Sequence, residues 1–216
     1  MSFFINILYF FIITVLVVVS ICFAWRFLSQ KFHLPCPSWL GWMVEMDNPF
    51  TKTSRASVII GHLELKPGMK VLDVGCGPGR LTIPIAKKIG PQGIITALDV
   101  QQEMLQRVQQ KAQAESLKNI QLFQANIEDG KIENNLYDRA LLISVLGEIP
   151  NMAVAMKKVF DSLKPGGMLL VTEVVFDPHF QSQKTVLRLA KSAGFRVMKI
   201  VGNRFAFTMQ LNKPID

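Results

Sequence analysis

The chain has 216 residues, half of them hydrophobic, with 24 Lys and Arg against 16 Asp and Glu and a formal net charge of +8; that length holds one sizeable core and is short for two domains. Its three cysteines, Cys22, Cys36 and Cys76, lack C-x-x-C spacing and a full Cys/His ligand set, which argues against a disulfide framework or a metal site and for reduced thiols. The positive charge would suit nucleic acid, but no recognition motif or aromatic-basic interleaving accompanies it, and nucleic acid is not an expected partner.

The first element in chain order is apolar without interruption. From Phe3 to Trp25 there is no charged side chain, and a helix rising about 1.5 Å per residue over such a run spans a hydrocarbon core of about 30 Å. A single transmembrane helix is expected, with residues 1–26 as the anchor. A cleaved signal peptide is the rival reading, but no basic residue precedes the run and no small-x-small cleavage site follows it. All of the +8 lies beyond residue 25, beginning with Arg26, so the amino terminus is expected outside and the rest of the chain in the cytoplasm. A basic body of this kind is drawn to an anionic leaflet.

Residues 27–53 form a juxtamembrane stretch. Its centre, FHLPCPSWLGWMVEMDNPF from Phe32 to Phe50, is rich in Pro and bulky apolar residues rather than polar linker residues. All three tryptophans, Trp25, Trp39 and Trp42, fall in it or just before it, and amphipathic rings of this type favour the headgroup layer. The segment is expected to pack on the globular part as a lid, to guide a lipid-like substrate, or to do both.

Over residues 54–216 strand-like and helix-like periods alternate, the pattern of a parallel sheet covered by helices on both faces. The expected elements are a helix near Ser54–Leu63, a strand Lys70–Val74, a helix near Leu81–Ile89, a strand Ile94–Asp99, a helix Gln102–Ser116 and a strand Ile120–Ala125. A strand Arg139–Ser144, a helix Met152–Leu163, a turn Lys164–Gly167, a strand Met168–Glu173, a helix Gln183–Ala193 and strands Arg196–Gly202 and Arg204–Leu211 complete the set. The last two strands are too close for a helical crossover and must pair as a hairpin. The expected fold class is therefore α/β: a Rossmann-like, doubly wound, seven-stranded sheet, mostly parallel with one antiparallel strand, preceded by the transmembrane helix.

The stretch VLDVGCGPGR runs from a strand into Gly75, Gly77 and Gly79 and then into a helix. Such a turn offers unpaired N–H groups to a ligand, and alone it fits NAD, FAD or S-adenosylmethionine. A dinucleotide fingerprint asks for a small third residue where Arg80 stands. Asp73 would repel a pyrophosphate but suits a ligand carrying a sulfonium and an ammonium group. Asp99 ends the next strand about twenty residues on, where a carboxylate accepts from ribose hydroxyls; capping the following helix is its plainer role.

With KPGMKVLDVGCGPGR, ALDVQQEML, FQANIED, ALLISVLGEIP and LKPGGMLLVTE in this order, the chain resembles the class I S-adenosylmethionine-dependent methyltransferases, in particular the group related to ubiquinone and menaquinone biosynthesis. The resemblance covers about residues 54–211. It implies S-adenosylmethionine as cofactor, with Asp73, Gly75, Gly77 and Gly79 at its methionine part, Asp99 at the ribose and Met104 against adenine. Asn126, with Ile127 beside it, falls where the family usually has an acid that bonds the adenine amine; Asn can still accept through its carbonyl oxygen. Ser144 would offer backbone to the cofactor's amine. Met104 and Ser144 have plainer alternatives as helix core and strand end.

Methyl transfer is an in-line displacement, so the chain's task is to align a nucleophile and exclude water, with a general base where the acceptor needs one. Candidates lie at the carboxyl ends of strands: Glu148, Glu173 and His179. An imidazole suits a base on pKa grounds, although a surface loop histidine is an ordinary occurrence. The quinone enzymes of the family tend to have His where Gly147 stands, which departs from their catalytic arrangement. His62 and His33 are not expected to be catalytic. Lys184, Arg188 and Lys191 share one face of the last helix, opposite Val186, Leu187 and Ala190, a solvated face or a contact for anionic headgroups.

The leading functional reading is a membrane-anchored methyltransferase acting on a hydrophobic small molecule, a prenylated quinol or another lipid. Phospholipid-amine N-methylation and a non-catalytic cofactor-binding membrane scaffold are the alternatives.

Overall fold

The computed structural model describes residues 2–32, 35–46 and 51–215; His33 and the stretch 47–50 lie outside them, as do the side chains of Cys22 and Trp42. The chain opens with helix α1, Ser2–Phe32, then a short α2, Gly41–Glu45, and α3, Ala56–His62. Helix α1 continues past Trp25 because Arg26 through Phe32 contain no Gly or Pro, and Pro35 is the first residue that cannot extend it. Among the described residues it is the one helix long and apolar enough to cross a membrane, with none of its apolar window buried in the protein.

The sheet strands are β1 Lys70–Val74, β2 Ile94–Asp99, β3 Ile120–Gln124, β4 Tyr137–Ile143, β5 Leu163–Val174, β6 Arg196–Asn203 and β7 Ala206–Asn212, in the order β3-β2-β1-β4-β5-β7-β6. The pairings β1–β2, β1–β4, β2–β3 and β4–β5 are parallel; β7 runs antiparallel to both β5 and β6. The seven-stranded α/β sheet with one antiparallel strand is thus the architecture expected from the sequence. Period-two burial explains its layers: Val71, Leu141 and Leu170 face one side, Leu72, Leu142 and Leu169 the other.

Helices α4, Thr82–Ile89, and α5, Gln102–Ala114, join α3 on the first face through Ile59, Ile85, Ile89, Leu105 and Val108. Helices α6, Met152–Ser162, and α7, Gln183–Ala193, cover the other through Met156, Val159, Val186 and Ala190. Asn151 caps α6 and Ser182 caps α7, each side chain accepting from the backbone N–H three residues on. The core stripe of α7 is Val186, Leu189, Ala190 and Ala193. Leu187, expected opposite the basic face, is instead half-buried and shares a shallow groove with Lys184, Arg188 and Lys191.

One local expectation changes. Lys164–Gly167 is not a free turn but an excursion within β5: pairing jumps from Tyr137↔Leu163 to Arg139↔Met168. Gly166 and Gly167 exchange backbone hydrogen bonds with Lys213, a partner supplied by the far end of the chain. Glycine chemistry predicts a bend there, and long-range pairing makes it a bulge.

Candidate functional site

The strand order reverses between β1 and β4, and ligands of such sheets bind at the carboxyl ends of the strands beside that switch. The two loops meeting there are the glycine turn after β1 and Ser144–Glu148 after β4. They touch: a Cβ on Gly75 would stand 2.3 Å from Val145 Cγ2. Gly75, Gly77 and Gly79 have φ of +67°, +53° and +86°, the left-handed region that glycine enters without cost. At Gly77 a Cβ would have only Val44 Cγ1 within reach, at 3.8 Å, so this glycine meets its conformational need in open space.

The two acids flank the turn. Asp73 is 3% exposed and its Oδ2 accepts from Thr82 Oγ1 at 2.7 Å. Burial pushes its carboxyl up to about 6, against the Thr82 bond; Asp99 adds to the rise and Arg80 opposes it. Asp99 accepts from the N–H of Gly77 and of Gln101, both at 2.9 Å. It thereby ties the turn to the residue that precedes α5. Burial raises its pKa too, while those backbone donors lower it.

The remaining predicted cofactor residues divide. Met104 is buried on α5, its Sδ 3.5 Å from where a Cβ on Gly41 would stand. Asn126 caps a 3-10 turn, Ile127–Asp129, its Oδ1 accepting from Glu128 N at 3.1 Å and its Nδ2 donating to Glu128 Oε2 at 3.0 Å. Ile127 belongs to the core of the opposite face. Ser144 has φ +52° and donates its N–H to Thr172 O, a strained position for a residue with a Cβ, directly at the switch point.

Segment 35–46 roofs this turn. Gln101 Nε2 donates to Cys36 O at 2.9 Å. Lys111 Nζ binds Glu45 Oε1 and Pro78 O, both at 2.8 Å, bridging the roof to the turn beneath it. On the side of α1, Arg26 Nη1 donates to Val175 O and Asp177 O at 3.1 and 3.0 Å, so the loop after β5 holds the end of α1.

That loop carries the second half of the site. Gly147 has the reason for being glycine written into the packing: a Cβ there would lie 2.0 Å from His179 O and 2.6 Å from Gln181 Nε2. No side chain fits at 147 while the loop is in place. His179 is 4% exposed, not a surface histidine, with Nδ1 3.7 Å from Glu148 Oε1 and 3.8 Å from Asp177 Oδ1. Its Nε2 and the buried Glu173 Oε1 have no hydrogen-bond partner among the described residues.

Glu148, from the loop after β4, therefore converges with Glu173 at the end of β5 and His179 in the loop that follows it. Burial first, then Asp177 and Asp99, pushes Glu148 up to about 8. Burial likewise carries Glu173 to about 8, against a hydrogen bond from Gln181 N and with further upward push from Asp177 and Glu148. Both carboxyls are protonated at neutral pH and poised to titrate just above it. Asp177, missed in the sequence, joins them: burial raises its pKa, while its Oδ1 accepts from His179 N at 2.7 Å. An Asp two residues before a histidine is an ordinary Asx-turn signal and carries no mark of a site. His62 lies at the end of α3, its carbonyl accepting from Gln210 Nε2.

A family model described as a methyltransferase domain matches residues 65–205. A demethylmenaquinone methyltransferase of Staphylococcus carnosus is 33% identical over 151 residues, 68% of this chain and 59% of that protein. One from Bacillus cereus is 33% identical over 111 residues, 51% of this chain and 47% of that protein. The chain thus spans about half the length of these relatives. A SAM-dependent methyltransferase structure from Aquifex aeolicus superposes with a TM-score of 0.72 at 21% identity, covering 83% of this chain and all of that one. A [4+2]-cyclase, SpnF, superposes at 0.66 with 17% identity over 74% and 80%, so likeness of fold alone does not fix a reaction. The family match runs through the glycine turn, both acids and the loop after β5, and the chain belongs to the methyltransferase domain family, the class I group whose cofactor is S-adenosylmethionine.

Proposed function

We propose that the protein transfers a methyl group from S-adenosylmethionine to a hydrophobic, membrane-resident acceptor, with a prenylated quinol as the foremost candidate class. The observation that carries this reading is the convergence of Glu148, Glu173, Asp177 and His179 beside the glycine turn, beneath a segment continuous with the apolar helix α1.

The residues fit the cofactor. Two acids with raised pKa values face a turn that offers backbone N–H groups and, at Gly77, open space. A cationic ligand favours their ionised forms and is favoured in return. Asp73 and the three glycines would hold the methionine part, Asp99 the ribose, Met104 and Asn126, with Ile127 beside it, the adenine, and Ser144 would offer backbone to the cofactor's amine. When bound, the cofactor supplies an electrophilic methyl group on a positively charged sulfur.

The chain's own work is positioning and proton handling. Segment 35–46 excludes water above the turn, and Gln101 and Lys111 keep it down. His179, with Glu148 beside its Nδ1, takes the proton that a phenolic or carbon acceptor must lose. Asp177 holds the His179 backbone in place. Glu173, ending β5, bonds Gln181 N at 2.9 Å and supports the loop from below. Helix α1 anchors the protein, with the methyltransferase domain in the cytoplasm. Two of the relatives are named for a demethylmenaquinone substrate, which supports a quinol over other lipids.

The test is direct. Purified protein and methyl-labelled cofactor are incubated with lipids extracted from membranes, and the products are separated. Label in prenylated quinones is the expected result; label in phospholipid amines instead, or in nothing while the cofactor still binds, overturns the quinol reading.

A further inference from the structure

A second cavity, of about 510 Å³, lies on the outer side of the loop after β5, between that loop, the end of α1 and the roof segment. Its lining is Ile21, Phe23 and Trp25 from α1, Pro37 and Trp39 from the roof, and Val175, Phe176 and Pro178 from the loop, with Arg26 at its edge. The volume is in the range of small-molecule sites. We propose that this cavity receives the hydrocarbon chain of the membrane-resident acceptor, a proposal that rests on the reading of the acceptor given above.

Three observations carry it. First, the lining is predominantly apolar. Its one charged side chain, Arg26, is engaged with Val175 O and Asp177 O, and the others are hydrocarbon, aromatic or proline, with the indole N–H groups of Trp25 and Trp39 as their polar atoms. An apolar chain loses water against such a surface at a gain.

Second, two walls of the cavity are two-faced. In the loop, Val175, Phe176 and Pro178 line the cavity, while Asp177 and His179 belong to the titratable cluster with Glu148. In the roof, Pro37 lines the cavity while the carbonyl of its neighbour Cys36 accepts from Gln101 Nε2 on the other side. A single layer of backbone thus separates an apolar compartment from the reactive one, as an amphipathic acceptor with a polar head and a long tail requires.

Third, the rim opens toward what α1 touches. Phe176 is 68% and Trp39 71% exposed. Val175 N donates to Phe205 O at 2.7 Å, which brings the half-exposed Phe205, with Arg204 over its ring at 4.6 Å, to the same edge. Exposed aromatics with basic residues beside an apolar helix are the make-up of a headgroup-level surface. A chain leaving the bilayer along α1 meets this rim before it meets solvent.

The test uses the full chain in phospholipid nanodiscs and a polyprenyl alcohol carrying a diazirine at its end. After irradiation, adducts are mapped by mass spectrometry. Adducts on residues 175–178 and 37–39, displaced by a polyprenylated naphthoquinone and not by the same head group without a tail, are expected. Adducts confined to α1, or undisplaced by the tailed quinone, overturn the proposal. In parallel, Trp39→Ser with Phe176→Ser is expected to raise KM about tenfold for a tailed naphthoquinol relative to a tail-less one; an unchanged ratio overturns it. Cofactor affinity of the doubly substituted protein, read by calorimetry, shows that it has folded. Displaceable adducts on the loop with no methylation of any quinol would sustain the chain site and sink the quinol reading; methylation indifferent to the tail, with no loop adducts, does the reverse.

Discussion

The glycine turn after β1 and the loop after β5 both face the switch point, yet they are built on opposite principles. In the turn the acids have partners: Asp73 has Thr82, and Asp99 has Gly77 N and Gln101 N. In the loop Glu173 Oε1 and His179 Nε2 are buried without any among the described residues. A region whose polar groups are satisfied is a rigid receptor, whereas buried orphans cost about 1–3 kcal/mol each and persist where function needs them. The proposed function places cofactor binding in the first region and acceptor chemistry in the second, and separate variants should expose the division.

The largest effect is expected from glycine substitutions on the two sides. Gly75→Ala puts a Cβ 2.3 Å from Val145 at φ +67°, and should weaken cofactor binding by calorimetry by about a hundredfold. Gly147→Ala, with its Cβ 2.0 Å from His179 O, should reduce methyl transfer about as far while leaving cofactor affinity within about threefold. Equal loss of affinity in both would show that the regions are one. Next, His179→Gln should lower kcat by about a hundredfold with the cofactor Kd unchanged, the usual scale of a lost general base; full activity removes His179 from that role.

Asp99→Ala deletes the acceptor for two backbone N–H groups as well as the ribose position. Cofactor Kd should rise about tenfold to a hundredfold, with only a small downward shift in the pH profile of transfer, because Asp99 is a lesser contributor to the raised pKa of Glu148. That profile belongs to the other region. Glu148, at about 8, loses its proton as pH rises, so transfer rates should climb through about pH 8 in the wild type.

Stability should move the opposite way. Glu173 has a folded pKa of about 8 against an ordinary 4.5; the folded state therefore holds a proton that the unfolded chain releases. Its contribution is fully present below about pH 4.5 and is lost as pH rises through about 8. Thermal unfolding should thus occur at lower temperature at about pH 8 than at about pH 5, and Glu173→Gln should flatten that slope. A slope identical to wild type would mean that Glu173 is not buried as a neutral acid. The smallest effect is expected from Lys111→Ala, which frees Glu45 and Pro78 O; a half-exposed pair of this kind is worth about 0.2–1 kcal/mol, so cofactor Kd should rise only about two- to threefold.

The division also explains what could be read from the chain alone. Strands Lys70–Val74 and Ile94–Asp99 and helix Gln183–Ala193 have the bounds that periodicity predicts, because hydrophobic alternation and glycine punctuation are local properties. Asp73 and Asp99 were legible for the same reason: the turn and its acids lie on two consecutive β-α units. The other region is non-local. Glu148 and His179 come from different loops, and the fit of Gly147 against the His179 carbonyl is invisible until those loops meet. Arg26 reaches a carbonyl 151 residues away, and Asp177 gains its setting only through that fold. Residue type pointed to His179, but its burial depends on packing that no window of sequence contains.

The tryptophans have a spectroscopic consequence. All three lie between residues 25 and 42, in the end of α1 and the roof, and the core of the sheet has none. Intrinsic emission therefore reports on the roof and on its surroundings, and is silent about the sheet beneath. Of the two tyrosines, Tyr9 is on α1 and Tyr137 is buried on β4, bonded to Thr96. A titration followed by tryptophan light reads the movement of the cover, while the tyrosine signal of Tyr137 reads the sheet: two optical channels, divided along the seam between the helix-bearing amino-terminal arm and the domain it covers.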